Sequence, residues 1–380
     1  MSTPYGPPDQ RPPDDPVPDP ALAGYPPPVQ GYWPVVTAPS AYGPIVPVKK
    51  SALPDGPRLY HQMLRGPRRH WWRPVVALLL IVPLAVLLMF AAIIPVLLLG
   101  VIQGVPDLGS YAASVTDFDN LGPAGFLYLN LALAALIPTA GLSIWIAHRI
   151  RPRYLSSVAG GLRWKWLFRC VLVTLPVWLI YTGLGFLAEP PPASARPEHW
   201  VVLLILVVFL TPLQSAGEEY LFRGWIMQNV GSYFARPLVG LIVSLTLSTV
   251  AFASAHLSPD PWVFGTLGCL AVASGIAAWR TGGLEAGIVM HAVNNLLVFF
   301  VVIIFGGFEE SFVGTETTGT PMMLVTAVVA HGIVLALILW QAKRQGIDRY
   351  FRPTARPGSA SELPIEASWN PIPALNRITP

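Results

Sequence analysis

Three short patterns carry the side chains of this chain that could do chemistry. They contain, in order, Glu218, Glu219 and Arg223 in EEYLFR, Phe252 and His256 in FASAH, and His291 and Asn295 in HAVNN. Each pattern holds two residues spaced i, i+4 that would share one helix face, so Glu219 could pair with Arg223. A carboxylate can take a proton from water, and an imidazole can orient that water or bind a metal ion. An imidazole with an amide can stabilise an oxyanion, so these groups form the inventory of a hydrolytic site.

Each polar residue also has a structural interpretation when it is taken singly. A glutamate pair beside a membrane is commonly a solvated helix end, and a single histidine in a span is commonly a core group. We interpret His331 as such a core group, because no polar neighbour is in register with it. Glu285 follows TGGL at a helix start, where a carboxylate complements the helix dipole. Asn130 and Gln214 are expected to form hydrogen bonds between helices.

The composition predicts the elements that must position these groups. The chain has 380 residues, of which 53% are hydrophobic and only 12% charged, and its mean hydropathy is +0.54. No ordinary soluble domain is so poor in charge, so we predict an all-α polytopic membrane protein. About eight segments have the length of a transmembrane helix. They are approximately 75–102, 124–147, 167–188, 199–217, 237–256, 262–280, 284–305 and 322–342.

The basic residues alternate from loop to loop along the whole chain. Lys and Arg cluster before the first segment, in the loop 149–169, around Arg223 and Arg236, at Arg280 and after the last segment, whereas the loops between carry acidic residues or few charges. The positive-inside rule therefore predicts that both termini are cytoplasmic. The pI near 9.1 reflects these loops and does not indicate nucleic acid as a partner. Cys170 and Cys269 lie in apolar runs and are interpreted as core residues.

The tails and the apolar core divide the chain into five parts. Residues 1–66 hold 17 of the 41 prolines and are predicted to be a disordered cytoplasmic arm, which could recruit partners or serve only as a solvated extension. Two transmembrane helices would occupy 67–164, and the patterns with possible chemistry fall in 165–305. The last helix would occupy 306–342, followed by a polar, flexible cytoplasmic tail at 343–380.

The ordered array EExxxR, FxxxH and HxxxN resembles the CPBP family of intramembrane proteases, which includes CAAX-processing enzymes and bacterial Abi-type proteins. The resemblance covers about 165–305 and extends to the run EEYLFRGW. It implies peptide-bond hydrolysis inside the bilayer, with the following roles. Glu218 would activate water, His256 would help to hold it, His291 and Asn295 would bind the oxyanion, and Glu219 with Arg223 would brace the site.

The same resemblance implies a metal. The family is commonly described as metal-dependent, which would make Glu218, His256 and His291 the ligands of a Zn²⁺ ion, and three N or O ligands plus water suit catalytic zinc. The sequence does not decide between metal-bound water and water held only by Glu and His. It contains no HExxH motif, so the mechanism of the zincin metalloproteases, which carry that motif, does not transfer.

The three patterns can form one site only if they lie at similar depths in the membrane. A straight helix over 237–256 would put His256 about 28 Å from its cytoplasmic start, by the rise of 1.5 Å per residue. Glu218 would then lie too far away if the fourth segment ended near 217. We therefore predict that this helix continues through EEYLFRGWIMQNV, and that the turn SPDP dips into the protein around an aqueous cavity.

Two alternatives remain beside the intramembrane endopeptidase. One is an inactive relative that acts as a membrane scaffold or immunity protein. The other is a proton-coupled transporter with Glu/His relays, although the polar groups all fall between 218 and 295 and show no repeat between two halves. The predicted partners are a membrane-associated protein or peptide substrate, the lipid bilayer and ligands of the arm. The predicted location is a bacterial plasma membrane.

Overall fold

The computed structural model describes residues 51–117, 121–188, 196–308 and 311–353. Helices dominate this part of the chain. In chain order they are α1 (Arg73–Ala91), α2 (Ile93–Ile102), α3 (Leu108–Val115), α4 (Pro123–Ala134), α5 (Leu136–His148), α6 (Arg153–Ser156), α7 (Trp164–Ala188), α8 (Trp200–Glu219), α9 (Met227–Gly231), α10 (Pro237–Ser254), α11 (Pro261–Thr281), α12 (Glu285–Phe305) and α13 (Pro321–Arg344). A π-helix (Tyr220–Ile226) joins α8 to α9, and a 3-10 turn (Tyr60–Gln62) follows the short strand β1 (Arg58–Leu59), which pairs antiparallel with β2 (Tyr350–Phe351).

Eight helical segments in the described residues are long and apolar enough to cross a membrane. They are Arg73–Ile102, Pro123–His148, Trp164–Leu187, Trp200–Gly231, Pro237–Ser254, Pro261–Thr281, Glu285–Phe305 and Pro321–Arg344. Many large apolar side chains on these segments are exposed on the protein surface, where only a lipid environment would cover them. The predicted all-α polytopic fold with eight membrane helices is therefore confirmed.

Prolines explain where the helices of the first two membrane segments are interrupted. Pro95 lacks the N–H that would bond the carbonyl of Ala91, and α1 ends at that residue. Pro138 stands in the same relation to Ala134, the last residue of α4. Each segment continues after one non-helical residue and counts as a single candidate membrane span.

The fourth segment is continuous from Trp200 to Gly231, which confirms the predicted continuation through EEYLFRGWIMQNV. Glu218 therefore lies inside the span, about 20 Å by helical rise from the end at Gly231. In α10, which begins just after that end, Phe252 lies about 22 Å from Pro237. The two patterns thus reach similar depths, and the mismatch expected for a shorter helix is removed.

The segment just before α1 corrects the predicted boundary of the disordered arm. Tyr60, Met63 and Leu64 are at most 2% exposed and belong to the main hydrophobic core. The Tyr60 hydroxyl donates to the backbone carbonyl of Leu155, and His61 is fully buried. Composition failed here because the prolines of the preceding stretch dominated the window, whereas a short run of large apolar residues is enough to anchor a segment. Residues 1–50 lie outside the described part of the chain.

The beginning of the C-terminal tail is also part of the fold. β2 covers β1, and Phe351 is 7% exposed in the same core as Tyr60. Arg163 donates to the backbone carbonyl of Asp348 at 3.4 Å. The predicted flexible tail therefore does not begin at 343, because residues up to 353 have defined contacts; residues 354–380 lie outside the described part.

The start of α12 is fixed by an ion pair of Glu285, which lies in the first turn of that helix, as predicted. Its carboxylate is fully buried and accepts from Arg163 three times, at Oε1 from the backbone N–H (2.9 Å) and from Nε (2.8 Å), and at Oε2 from Nη2 (2.7 Å). Arg163 also donates to the carbonyl of Thr281 at 2.8 Å. Besides its place in the first turn, where a carboxylate complements the helix dipole, Glu285 ties α12 to the loop before α7.

Candidate active site

Glu219 and Arg223 form a fully buried ion pair across one turn of the fourth span. Nη1 of Arg223 lies 2.9 Å from Oε1 of Glu219, and neither side chain is exposed. The guanidinium carbon lies 4.2 Å from the ring centroid of Phe252 on α10. A buried charge of this kind is tolerated only when it is paired, so the pair predicted from the i, i+4 spacing is confirmed.

The π-helix places this pair between two hydrophobic cores. Tyr220 and Trp225 pack into the core around Tyr60, whereas Phe222 packs into the core around Phe252 and Met290. A π-helical turn widens the helix and is commonly found at functional sites. Here the segment directs side chains of one helix to both cores while Arg223 remains inside.

His291 on α12 contacts both glutamates. Its Nδ1 lies 3.1 Å from Oε1 of Glu219 and its Nε2 lies 3.6 Å from Oε2 of Glu218. Because a carboxylate only accepts, the Nδ1 atom of His291 carries the hydrogen of the shorter contact. The ring is therefore held by Glu219, and its Nε2 edge is directed at Glu218.

A glycine makes this approach of α12 to the fourth span possible. A Cβ atom added to Gly287 would lie 2.8 Å from Oε2 of Glu219 and 3.2 Å from Cβ of Ser274. Side chains do not pack at the first distance without displacement of a neighbour. Gly287 thus leaves the space that the Glu219 carboxylate occupies.

Glu218 has one oxygen in a hydrogen bond and one without a hydrogen-bond partner among the described residues. Oε1 accepts from Nε2 of Gln214 at 2.7 Å, one helical turn earlier. Among the described residues Oε2 has no hydrogen-bond partner, although Glu218 is only 8% exposed. An unsatisfied carboxylate oxygen inside a protein needs a donor, and water is the simplest one. Oε2 of Glu219 also lacks a hydrogen-bond partner among the described residues, but its side chain is 0% exposed against 10% for Glu218, so the Glu218 oxygen is the more accessible to water.

Phe252 connects the three sequence patterns. Its ring lies 5.5 Å from the His291 ring and 4.9 Å from the His256 ring, besides its contact with Arg223. His256 is half-buried at the end of α10, and its Nδ1–H donates to the Phe252 carbonyl at 2.9 Å. His256 therefore joins the cluster through Phe252. The pattern FxxxH contains Phe252, but the sequence alone assigns no role to its ring.

The turn after His256 is held by the loop before α13. Ser258 donates to the carbonyl of Thr317 at 2.9 Å, and the Asp260 carboxylate caps α11 by accepting from the N–H groups of Trp262 and Val263. These bonds lower the pKa of Asp260 below its usual value. The predicted dip of this turn toward an aqueous cavity stays a prediction.

Asn295 reaches the cluster through Gln214. Its Nδ2 donates to Oε1 of Gln214 at 3.3 Å, which confirms the expected helix–helix bond of that glutamine. The second bond of Gln214, to Glu218, is a site contact that our sequence analysis missed. The i, i+4 spacing of Gln214 and Glu218 was the available signal.

Two other polar residues of the spans lie outside the cluster. His331 is buried, donates from Nδ1 to the Ala327 carbonyl at 2.9 Å and packs edge to face on Trp178, as expected for a core group. Asn130 donates to the Phe126 carbonyl of its own helix at 2.9 Å. The expectation of a bond from Asn130 to another helix is therefore wrong.

The predicted zinc ligands do not form a three-ligand group in this arrangement. In the described ranges no three His, Cys, Asp or Glu side chains converge as a metal site. Glu219 holds Nδ1 of His291, which leaves Nε2 as the open ring nitrogen, and the rings of His256 and His291 both contact the Phe252 ring. The described residues do not gather Glu218, His256 and His291 into one metal site, and the proposed reaction uses no metal.

Comparisons with known proteins agree with the patterns in this cluster. Residues 197–297 match the family model described as type II CAAX prenyl endopeptidase Rce1-like. The chain is also similar to the uncharacterized protein YyaK of Bacillus subtilis (strain 168), with 25% identity over 218 residues that cover 53% of this chain and 71% of that protein. No solved structure matches the chain.

The matched residues 197–297 contain all three patterns, from Glu218 to Asn295. The eight apolar helices and a membrane-protease family together make the chain an integral membrane protein. The resemblance found from EExxxR, FxxxH and HxxxN is confirmed, because residues 197–297 match the Rce1-like family model, which describes CAAX-type proteases.

Proposed function

We propose that the protein is an intramembrane endopeptidase that hydrolyses peptide bonds of membrane-associated proteins or peptides. The observation that carries the proposal is the pairing of a half-engaged Glu218 carboxylate with the braced ring of His291, both inside apolar spans. Ionisable groups at such depth are costly and usually functional. The family match supports proteolysis at the level of the family and favours neither the transporter nor the inactive relative.

In the proposed attack Glu218 acts as the general base. Oε2 of Glu218 accepts a proton from water while the water oxygen forms a bond to the carbonyl carbon of the substrate. The carbonyl π electrons move to the substrate oxygen, which becomes an oxyanion. Gln214 holds Oε1 at 2.7 Å, so the other oxygen is the one directed at the water. A positioned base of this type contributes roughly 10²–10⁴ in rate.

His291 and Asn295 would stabilise the oxyanion. Glu219 accepts from Nδ1–H of His291, which fixes the ring. In the proposed site a hydrogen that is already on Nε2 before the attack donates to the oxyanion and stays on the ring through both steps. Asn295 donates one of its amide hydrogens to Gln214 and retains the other for the oxyanion. Preorganised donors in a water-poor site are effective because they need no reorganisation during the reaction.

The last step returns the proton. The protonated Glu218 gives its hydrogen to the leaving nitrogen as the C–N bond breaks, which yields a carboxylic acid and an amine. His256 would help to hold the attacking water. Its Nδ1–H is engaged by the Phe252 carbonyl, so its Nε2 is an acceptor for a water hydrogen.

We further propose the setting in which this activity operates. Loop charges support cytoplasmic termini, and the similarity to a Bacillus subtilis protein supports a bacterial plasma membrane as the location. The prolines of residues 1–50 suit a docking arm for cytoplasmic partners, and the charge pattern offers no surface for nucleic acid. A bound zinc ion stays a prediction from the family resemblance.

The test uses purified protein in lipid vesicles with a library of membrane peptides in H₂¹⁸O. Mass spectrometry should find new termini with one ¹⁸O atom in the carboxyl group, and the products should disappear in His291→Ala. Cleavage that persists in this variant would overturn the assignment of the site. Elemental analysis of the same samples tests zinc: one ion per chain that is lost in Glu218→Gln would support it.

A further inference from the structure

Gln214 is a buried amide whose two ends are both used. It lies on α8 one turn before Glu218 and is 8% exposed. Its Nε2 donates to Glu218 at 2.7 Å, and its Oε1 accepts from Asn295 at 3.3 Å and from Ser215 at 3.2 Å. Burial of an amide in an apolar span is costly unless such bonds are made.

The bonds around Gln214 all run in one direction. Nδ2 of Asn294 donates to Oδ1 of Asn295 at 3.0 Å, Asn295 donates to Gln214, and Gln214 donates to Glu218. Consecutive bonds of the same direction polarise and strengthen one another in a low dielectric. This series of hydrogen bonds, which we call the relay, ends on the negatively charged carboxylate of Glu218.

Only a side chain with both a donor and an acceptor can make both bonds at this position. A glutamate at 214 would place an oxygen against the Glu218 carboxylate and repel it. A leucine would fill much of the volume but would release both Glu218 and Asn295. The amide therefore sets the distance between these two groups, which lie on different helices.

We propose that Gln214 is a positioning residue that couples the base Glu218 to the oxyanion donor Asn295. The inference rests on the proposed function for its catalytic consequence. By accepting one amide hydrogen of Asn295, Gln214 selects the rotamer in which the other hydrogen faces the reacting carbonyl. By donating to Oε1 of Glu218, it leaves Oε2 for water.

The kinetic test compares Gln214→Leu and Gln214→Glu with a matched control, Thr211→Val. Thr211 lies one turn away on the same helix, is fully buried and has no hydrogen-bond partner for its hydroxyl among the described residues. We expect kcat to fall on the order of 10²-fold in both Gln214 variants, with KM little changed and the control active. An unchanged kcat, or a rise in KM alone, would overturn the proposal.

A second test needs no substrate and so separates this inference from the proposed function. Tm is measured for Gln214→Leu, Asn295→Leu and the double variant. We expect the Gln214→Leu loss in Tm to shrink once Asn295 is leucine, because the bond is then already absent. Additive losses would overturn the relay, even if the wild type cleaves peptides. If the wild type cleaves nothing, the proposed function fails while non-additive losses still support the relay.

Discussion

A single oxygen of Glu219 serves two partners: Oε1 lies 2.9 Å from Arg223 and 3.1 Å from Nδ1 of His291. The carboxylate is therefore both the counter-charge of a buried guanidinium and the group that orients an imidazole. Sharing one oxygen couples the stability of the fourth span to the geometry of α12. The first prediction follows from this coupling.

Glu219→Gln should reduce stability and activity together. The substitution leaves Arg223 as a buried charge without its partner, and breaking a buried pair costs roughly 3–5 kcal/mol. His291 also loses the charge that holds Nδ1–H. We expect a clear drop in Tm and in kcat, measured by thermal unfolding in detergent and by peptide cleavage. The exposed Glu198→Gln is the control, and a Tm equal to the wild type would contradict the pair.

Arg223→Lys should not be tolerated, although it keeps the charge. The planar guanidinium lies over the Phe252 ring at 4.2 Å while it contacts Glu219, and an ammonium group cannot reproduce both contacts. We expect a fall in Tm, with a loss of about 1–2 kcal/mol from the ring contact alone. The same substitution is also made in a Phe252→Leu protein. If Arg223→Lys lowers Tm equally there and in the wild type, the contact with the Phe252 ring contributes nothing to stability.

Gly287→Ala tests the close approach of α12. Alanine is favoured over glycine in a helix interior by about 0.5–1 kcal/mol, so the substitution would stabilise an open position. At 287 the new Cβ would meet Oε2 of Glu219 at 2.8 Å, and we expect a lower Tm instead.

The matched control for this steric test is Gly332→Ala on α13. A Cβ there meets nothing within 4 Å, so Tm should stay equal or rise. Equal behaviour of the two variants would show that Gly287 is not in contact with the Glu219 carboxylate.

His61 should make the fold sensitive to acid. Burial lowers the pKa of His61 to about 4, despite a backbone hydrogen bond to Pro237 that acts in the opposite direction. The folded protein therefore binds fewer protons than the unfolded chain between pH 4 and the unfolded pKa near 6.5. The contribution of neutral His61 to the free energy of unfolding is fully present above pH 6.5. It is on the order of 3 kcal/mol and is lost as the pH falls toward 4.

The measurement is Tm from pH 7.5 to 4 for the wild type and His61→Phe. We expect the wild type to lose stability over this range and the variant to have a flatter profile. Parallel profiles for the two proteins would contradict the assignment of this acid sensitivity to His61.

The spans and the pairs within one helix could be predicted from the sequence. Apolar runs of about 20 residues require helices in lipid, since a spanning chain must satisfy its own backbone groups. The spacing of Glu219 and Arg223 is local, so helical geometry alone predicts their contact. The continuation of the fourth span past Glu219 followed from the depth at which the three patterns must meet.

Contacts between distant segments could not be predicted in the same way. Glu285 was interpreted as a helix-start carboxylate because its partner Arg163 lies far away in the sequence. The i, i+4 spacing of Gln214 and Glu218 indicates that these two side chains can meet. The role of Gln214, however, depends on Asn295, which is placed by packing of α12 on α8. The π-helix and the buried segment around Tyr60 likewise depend on tertiary contacts that override local composition.

The most direct test of the account is single-turnover cleavage by Glu218→Gln in lipid vesicles, beside the matched exposed control Glu316→Gln. An amide at 218 keeps the size of the side chain but cannot accept a proton from water. We predict a rate lower by roughly 10²–10⁴ with an unchanged Tm, and a control equal to the wild type. Cleavage by Glu218→Gln at the wild-type rate would contradict the assignment of Glu218 as the base.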